Sequence, residues 1–188
     1  MIEVKNLTKT YNGKTIFSDI SFSVEYGTAA VFTGSSGVGK TTLMRCIAGL
    51  ESPDSGTVTG VDGKRLTYAF QEDRLIEQLS VKNNLLCFYN DKARAEYLIE
   101  RAGLTGDADK KAALLSGGMK RRLSLIRALL YGGEIYFLDE PFKELDSETA
   151  DRMRRLVKEE TAGKTLLLIT HDNSDASFFN AKEIKLGS

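Results

Sequence analysis

The sequence contains few of the residues that build disulfide scaffolds, zinc sites or thiol active sites. Its 188 residues include no tryptophan, two prolines, two cysteines and one histidine. Cys46 and Cys87 stand 41 positions apart, and neither belongs to a CxxC or another metal-binding spacing. Since His171 is the only histidine, a zinc centre and a Cys–His catalytic pair are both poorly supported. We expect both cysteines to be small buried side chains in a protein of the reducing cytoplasm.

The sequence also lacks an excess of either charge and any long apolar run. Its 26 Lys and Arg residues balance 26 Asp and Glu residues, which argues against a disordered chain and against a broadly basic nucleic-acid binder. The longest hydrophobic run, residues 85–89, has five members, whereas a membrane-spanning helix needs roughly 20. The first residues contain no apolar core of a signal peptide. We therefore expect a soluble globular protein with one substantial core and no nucleic-acid partner.

The apolar patterning predicts an α/β fold. Residues 2–4 and 16–24 alternate apolar and polar side chains on either side of Asn12-Gly13, a dipeptide that favours a hairpin turn. This predicts an N-terminal antiparallel β part, whereas strands alternating with helices in the rest of the chain indicate a mainly parallel core sheet. The predicted buried strands are 28–32, 66–70, 135–138 and 166–169; the predicted helices are 43–50, 80–103 with Ser80 as N-cap, 116–131 and 147–161; residues 51–63 are turn-rich.

A phosphate-binding loop is predicted at residues 34–41. They read Gly-Ser-Ser-Gly-Val-Gly-Lys-Thr and match the GxxxxGK[ST] pattern without a mismatch, between a buried strand and a helix. Glycines let backbone N–H groups point at phosphate oxygens, and the helix N-terminus adds a partial positive charge. Lys40 can reach the β- and γ-phosphates, and Thr41 can offer its hydroxyl to Mg²⁺. The alternative, a glycine-rich turn with a solvated lysine, does not explain the agreement of motif and flanking elements.

Polar side chains follow three of the predicted strands, at the edge where α/β sheets bind ligands. Asp139 and Glu140 come after 135–138, His171 follows the strand at 166–169, and Gln71 follows the strand at 66–70. Taken singly, an acidic strand end or a loop glutamine is more often solvent-exposed, and a sole histidine is more often structural. With a phosphate loop in the same chain, the interpretation that Asp139 and Glu140 hold Mg²⁺ and position a water is the stronger one.

A second glycine motif opens the predicted helix at 116. Leu115-Ser116-Gly117-Gly118 places a capping serine before two glycines, which leaves N–H groups and a hydroxyl able to hold a phosphate. Three cations, Lys120, Arg121 and Arg122, follow closely. Positive charge is unfavourable at a helix N-terminus, so an anion nearby would stabilise it. For the cations alone we expect the simpler arrangement, in which their side chains extend into water.

Through these motifs, the sequence resembles the ATP-binding-cassette (ABC) ATPases over nearly its whole length. These proteins are P-loop NTPases. The phosphate loop resembles their Walker A motif, residues 135–139 resemble Walker B followed by the catalytic carboxylate, and residues 115–119 resemble the LSGGQ signature. All motifs occur in the family's order, and the ordered set is far more specific than Walker A alone. The wording around Gln71 and Glu140 most resembles the ATPase subunits of bacterial importers.

The resemblance implies a role for individual residues. It implies catalytic roles for Glu140, Gln71 and His171, and metal contacts from Thr41, Gln71 and Asp139. The nucleotide contacts that it implies are Tyr11, Gly34, Ser35, Ser36, Gly37, Val38, Gly39, Lys40, Thr41 and Thr42; the signature contacts in trans are Ser116, Gly117, Gly118 and Met119; Asp146 lies at the dimer interface. It implies one cassette domain over 1–188, with a β part at about 1–70 and 132–188 and a shortened helical subdomain at about 72–131.

The resemblance also implies a mechanism and partners. Two cassettes, identical or different, would face each other head to tail, with each ATP between the Walker A loop of one chain and the signature of the other. Closure on ATP with Mg²⁺ and opening after hydrolysis would drive integral membrane subunits. The chain would then be cytoplasmic and held at the inner face of the membrane by those subunits.

Three departures from the family pattern modify these expectations. Met119 ends the signature where glutamine is usual, so we expect impaired rather than lost sensing of ATP. Glu144 replaces a small residue before Asp146, and we expect its charge to lie near the dimer seam. The spacing of 45 residues from Gln71 to Ser116 is short for the helical subdomain, so docking of membrane subunits is expected to be reduced or specialised.

Other functions remain open at this point. A soluble ABC ATPase of DNA repair or translation usually has two cassettes or a long coiled-coil insert, and neither occurs here. A nucleotide-sensing module with little turnover is suggested by Met119 and Glu144. A small-molecule kinase would use the phosphate loop but leaves residues 115–118 unexplained.

Overall fold

The computed structural model describes residues 1–187, which divide into two compact units. The first unit comprises Met1–Leu66, Gly133–Asp139 and the chain from Gly163 onward. The second comprises Thr67–Gly132 and Glu140–Ala162. Across the described residues, no helix has both the length and the apolar character that a bilayer crossing requires.

An antiparallel sheet of three strands forms part of the first unit. Strands β1 (Ile2–Tyr11) and β2 (Lys14–Val24) pair antiparallel, and β4 (Ser55–Thr59) pairs with the other edge of β1. The predicted hairpin is confirmed: Asn12 and Gly13 form the turn with φ of 48° and 78°. Both angles suit the twist of the flanking strands, and Asn and Gly tolerate them.

A second sheet of five strands has the order β5-β6-β7-β3-β8. These strands are β3 (Ala29–Thr33), β5 (Leu66–Ala69), β6 (Ile135–Asp139), β7 (Thr165–Ile169) and β8 (Lys182–Lys185). Strand β3 runs parallel to β7 and β8, and β6 runs parallel to β7. All residues of β6 and β7 are buried, as the continuous apolar runs predicted. The expected α/β fold with a mainly parallel core is confirmed.

The register of this sheet aligns the carboxyl ends of three strands. Asp139 of β6 pairs with Ile169 of β7, and Ile169 pairs with Phe32 of β3. The residues that follow these strands therefore leave the sheet at one edge. Helix α1 (Lys40–Ile47) follows β3 and buries Leu43, Met44 and Ile47 completely.

Helices dominate the second unit. They are α2 (Val81–Leu86), α3 (Lys92–Arg101), α4 (Gly117–Tyr131) and α5 (Ser147–Glu160), with single 3-10 turns at Thr105–Asp107 and Ala112–Leu114. The oxygen of Ser80 caps α2 by accepting from the N–H of Asn83, as predicted. Residues 80–103 form two helices rather than one, because the carboxylate of Asp91 accepts from the N–H of Arg94 and starts α3.

Short elements and one cysteine differ from the sequence-based expectation. Strand β4 lies inside the turn-rich region, and neither β8 nor α6 (Ser174–Phe178) was predicted. Cys46 is buried, but Cys87 is exposed because it follows the end of α2. Phe88 and Tyr89 after it are 56% and 46% exposed, so the apolar run at 85–89 leaves the core after Leu86.

Candidate nucleotide-binding and hydrolytic site

The phosphate loop joins β3 to α1 within the first unit. Gly34 and Gly39 have φ of 142° and 100°, and a Cβ added at these positions would lie 2.5 Å from the carbonyl oxygen of Leu186 and 2.6 Å from Cγ2 of Ile16. Gly39 is the N-cap residue of α1 and has no side chain to occupy the helix N-terminus. The backbone N–H groups at this end of the helix therefore remain open to an anion.

Lys40 carries its charge into the loop. The residue is 5% exposed, and its Nζ donates to the carbonyl oxygens of Gly34 and Ser35 at 2.8 and 2.9 Å. Thr41 and Thr42 follow in the first turn of α1 and are half-buried. A cation, open N–H groups and a hydroxyl thus converge at one loop, and this combination suits the phosphates of a nucleotide.

The carboxyl edge of the five-stranded sheet brings two further predicted residues to this unit. Asp139 ends β6 with 1% of its surface exposed, and His171 leaves the end of β7 exposed to solvent. The turn behind His171 is held by hydrogen bonds: Thr170 Oγ1 donates to the buried carboxylate of Asp175 at 2.5 Å, and the N–H of Asp172 donates to Thr170 Oγ1 at 3.1 Å. The backbone that presents His171 is therefore fixed from inside the unit.

Tyr11 lies at the β1–β2 hairpin of the same unit. Its ring is 43% exposed, and its hydroxyl donates to the carboxylate of Glu51. The ammonium of Lys9 lies 5.1 Å from the centre of the ring and 3.6 Å from a carboxylate oxygen of Glu51. These contacts orient the ring and leave part of it accessible for stacking.

In the second unit, residues 115–119 form the signature segment at the start of α4. Ser116 is the N-cap residue, and its oxygen accepts from the N–H of Met119 at 3.3 Å, as predicted. Glu144 lies beside this segment: a Cβ added at Gly117 would lie 3.4 Å from Oε2 of Glu144. The carboxylate thus stands next to the glycines that are expected to receive a phosphate.

Glu140 follows Asp139 in the chain and belongs to the second unit. Its backbone adopts the left-handed region with φ of 49°, which costs a non-glycine residue about 1–2 kcal/mol. The ammonium of Lys143 lies 3.4 Å from Oε2 of Glu140. Gln71, in the same unit, is exposed two residues after the end of β5.

Arg121 is a residue whose environment the sequence interpretation got wrong. It is 6% exposed rather than extended into water, and it donates to the carbonyl oxygens of Glu140 and Phe70. Arg122 also turns inward, to the carbonyl oxygens of Ala102 and Gly103. The helical spacing could have indicated the burial of Arg121, since it lies four residues before the buried Leu125 and thus on the same face of α4.

Two carboxylates of this unit that lie at or near predicted site residues have shifted pKa values. Burial raises the pKa of Asp73, and the guanidinium of Arg121, 3.1 Å from its Oδ1, opposes that shift. Asp146 caps α5 by accepting from the N–H of Thr149 at 3.0 Å, and this hydrogen bond lowers its pKa. The folded chain therefore favours the charged form of Asp146, and its stabilising effect on α5 decreases as pH falls through that lowered pKa.

The predicted site residues divide between the units. The first unit holds Tyr11, the phosphate loop, Asp139 and His171; the second holds Gln71, the signature segment, Glu140 and Asp146. Within residues 1–187, His, Cys, Asp and Glu side chains form no cluster of three or more that could hold a metal ion. A magnesium ion would therefore need other oxygen ligands, such as a hydroxyl and nucleotide phosphates.

Comparison with known proteins shows the family to which the chain belongs. The family model described as "ABC transporter" matches residues 17–143. The chain is 36% identical over 187 residues to the aliphatic sulfonates import ATP-binding protein SsuB 1 of Pseudomonas savastanoi pv. phaseolicola, covering 96% of this chain and 78% of that protein. It is 33% identical over 218 residues to the phosphonates import ATP-binding protein PhnC of Fusobacterium nucleatum subsp. nucleatum, covering 99% of this chain and 88% of that protein.

A solved structure gives the same result for the fold. The ATP-binding cassette MJ0796, a dimer in a post-hydrolysis state bound to ADP and Pi, superposes with a TM-score of 0.86 and 29% sequence identity, covering 99% of this chain and 94% of that one. The family model covers more than half of the chain, and the relatives align over nearly all of it. The chain therefore belongs to the ABC transporter family and is an ATP-binding-cassette ATPase of the importer type.

Proposed function

We propose that this chain is the ATP-hydrolysing subunit of a membrane importer and that it works with Mg²⁺ in a head-to-tail dimer. The observation that carries the proposal is the phosphate loop, where a nearly buried ammonium and an open helix N-terminus converge. The relatives named as import ATP-binding proteins and the dimeric cassette with ADP and Pi support the reaction and the assembly.

Within this proposal, the first unit binds the nucleotide phosphates. The open backbone N–H groups at the start of α1 and the ammonium of Lys40 contact phosphate oxygens, while Tyr11 stacks on the base. Thr41 and Asp139 fit a magnesium site, since a hydroxyl and a nearly buried carboxylate are hard oxygen ligands of the type that this ion prefers, and Gln71 adds an amide oxygen. When bound, Mg²⁺ neutralises charge on the phosphates.

Hydrolysis is assigned to three side chains. Glu140 accepts the proton of the attacking water, because a carboxylate whose backbone is fixed can act as a general base. His171 donates a hydrogen bond to the γ-phosphate from the turn that Thr170 and Asp175 hold in place. Gln71 would contribute its amide oxygen to the metal ion and orient the water.

The second cassette completes the site in this proposal. Ser116, Gly117, Gly118 and Met119 would receive the γ-phosphate bound to the partner, through the hydroxyl and the N–H groups at the start of α4. Since the γ-phosphate is contacted from both chains only in the closed dimer, ATP favours closure and hydrolysis reverses it. Asp146, at the start of α5, lies in the dimer interface.

In this proposal, a membrane subunit docks on the second unit. A cavity of about 270 Å³ is lined by Asp73, Arg74, Leu75, Glu77, Ala112 and Lys120. It lies against the segment that carries Gln71, so a protein docked there could sense the state of the hydrolytic residues. The membrane subunits would hold the chain at the inner face of the membrane and select the solute.

Isolation from membranes tests this proposal. The chain is expected to co-purify with an integral membrane protein after mild detergent extraction, and to leave the membrane when the 70–77 region is altered by Leu75→Asp. The matched control is Leu50→Asp, since Leu50 is a 55% exposed apolar side chain of the other unit. Recovery of the chain with ribosomes or DNA, and with no integral membrane protein, would contradict the transporter function.

A second candidate function, nucleotide sensing with little turnover, is favoured by Glu144. Its carboxylate stands beside Gly117, where it competes with a phosphate for the start of α4. We expect Glu144→Gln to raise hydrolysis or ATP-driven dimerisation about threefold to tenfold, because like charges at close range repel. Steady-state phosphate release checks this against Glu148→Gln, which removes another exposed carboxylate in the first turn of α5. Equal rates in all three proteins would show that Glu144 does not restrain the site.

A further inference from the structure

Arg121 connects three segments of the second unit. Its Nε and Nη2 both donate to the carbonyl oxygen of Glu140, at 3.2 and 2.8 Å. Its Nη1 donates to the carbonyl oxygen of Phe70 at 2.8 Å and to Oδ1 of Asp73 at 3.1 Å. The side chain is 7% exposed, and it begins in the turn of α4 that follows the signature segment.

The contact with Glu140 restrains an unfavourable backbone conformation. Glu140 has φ of 49°, a region that non-glycine residues adopt only when their surroundings impose it. Two donors of one rigid guanidinium fix the position of its carbonyl oxygen and hence the plane of the peptide group. The direction in which the Glu140 carboxylate leaves the backbone depends on that plane.

The other side of the guanidinium holds the segment that contains Gln71. Phe70 precedes Gln71 directly, and Asp73 follows it by two residues, so both of these contacts flank Gln71. Arg127, two turns further along α4, holds the same segment through the carbonyl oxygens of Asp73 and Arg74, both at 2.9 Å. Arg121 also donates to the carbonyl oxygen of Glu140, whereas the hydrogen bonds of Arg127 go to Asp73 and Arg74.

We propose that Arg121 is a positioning residue for hydrolysis, which aligns the Glu140 carboxylate and Gln71 with the signature segment at the start of α4. The proposal rests on the proposed function, in which Glu140 accepts the proton of water. The side chain of Arg121 would then transmit a movement of the first turn of α4 to Glu140 and Gln71. Closure on a nucleotide held by a partner chain would be such a movement. Arg121 itself touches no phosphate in this role.

The primary test separates turnover from binding. Arg121→Gln is expected to lower kcat for ATP about 10-fold to 100-fold and to change KM and the affinity for ATP less than threefold, because the phosphate loop lies in the other unit. Arg127→Gln is the matched control: it removes a guanidinium from the same helix and bonds to the same segment but none to Glu140, so kcat should fall less than threefold. A normal kcat for Arg121→Gln, or an equal loss in both variants, overturns the proposal.

A double variant tests whether Arg121 acts through Glu140. In a Glu140→Gln background, Arg121→Gln is expected to leave the residual rate unchanged within about twofold, since the group that it positions is already gone. A further loss of the same size as in the wild type would indicate a merely structural role and would overturn the proposal. If Arg121→Gln does not fold, Arg121→Lys replaces it. Lysine keeps the charge, but its single ammonium cannot bond both carbonyl oxygens as the forked guanidinium does, so kcat should be intermediate. A wild-type kcat for Arg121→Lys overturns the proposal.

The proposed function can fail separately from this inference. A wild-type protein that binds ATP but never hydrolyses it, even with its membrane partner, contradicts the proposed function. A wild-type protein that depends on Glu140 for hydrolysis but not on Arg121 contradicts the positioning role alone.

Discussion

A Lys40→Ala variant is expected to lose tight ATP binding. Its ammonium is nearly buried and lies among the carbonyl oxygens of Gly34 and Ser35, at the loop that receives the phosphates. A hydrogen bond to a charged group contributes about 1.5–3 kcal/mol, so the loss of contacts to the β- and γ-phosphates should weaken binding by about 10-fold to more than 100-fold. Equilibrium titration with ATP measures this directly.

The control for this variant is Lys164→Ala, which removes an exposed lysine from the same unit. It should bind ATP as the wild type does. Thermal unfolding of both variants without nucleotide separates a loss of binding from a loss of fold. If Lys40→Ala binds ATP with unchanged affinity, the assignment of residues 34–41 as the phosphate loop is wrong.

A Glu140→Gln variant is expected to bind ATP but to hydrolyse it about 10²-fold to 10⁴-fold more slowly, the range that a general base contributes. The amide keeps the shape of the side chain but cannot accept the proton of water. Because the γ-phosphate then persists, the closed dimer should accumulate with ATP. Phosphate release and size-exclusion chromatography with and without ATP measure the two effects.

Glu148→Gln provides the control, since it makes the same chemical change at an exposed carboxylate in α5. It should neither slow hydrolysis nor trap a dimer. If Glu140→Gln hydrolyses ATP slowly but stays monomeric with ATP, the carboxylate takes part in hydrolysis, but the proposed link between the γ-phosphate and dimer closure is wrong.

Much of the fold could be predicted because local chemistry and tertiary structure agree. Asn12-Gly13 favours the turn that it forms, the apolar runs form β3, β6 and β7, and Ser80 and Ser116 cap the helices that follow them. Two glycines of the phosphate loop reflect close approaches that only glycine permits: an added Cβ would meet the backbone of Leu186 at Gly34 and the side chain of Ile16 at Gly39. The turn, the strand patterns and the helix caps depend on residues close together in sequence, whereas the close approaches of the two glycines do not.

The elements that were missed depend on distant partners. Strand β4 contains Gly56, whose added Cβ would lie 2.5 Å from the carbonyl oxygens of Lys5 and Asn6, so its pairing with β1 defines it rather than its propensity. Strand β8 is similarly defined by β3, with Ile184 as its buried residue. The break between α2 and α3, where Asp91 caps α3, was not predicted from the sequence.

The candidate site shows the same division. Motifs placed the phosphate loop, Asp139, Glu140 and the signature segment, because phosphate chemistry restricts the residue types at fixed spacing. Packing within the second unit turns Arg121 inward, because the carbonyl oxygens of Phe70 and Glu140 both accept hydrogen bonds from it. The same packing places Glu144 beside Gly117. Charge at a helix N-terminus alone favoured solvent for Arg121, whereas buried carbonyl acceptors favour the folded arrangement.

The most direct test of the account is Mg²⁺-dependent phosphate release from ATP, measured side by side for the wild type and Glu140→Gln in the presence of the membrane partner. The wild type is expected to release phosphate, chelation of Mg²⁺ should abolish this release, and Glu140→Gln should reduce it at least 10²-fold. Release by Glu140→Gln at the wild-type rate would contradict the account.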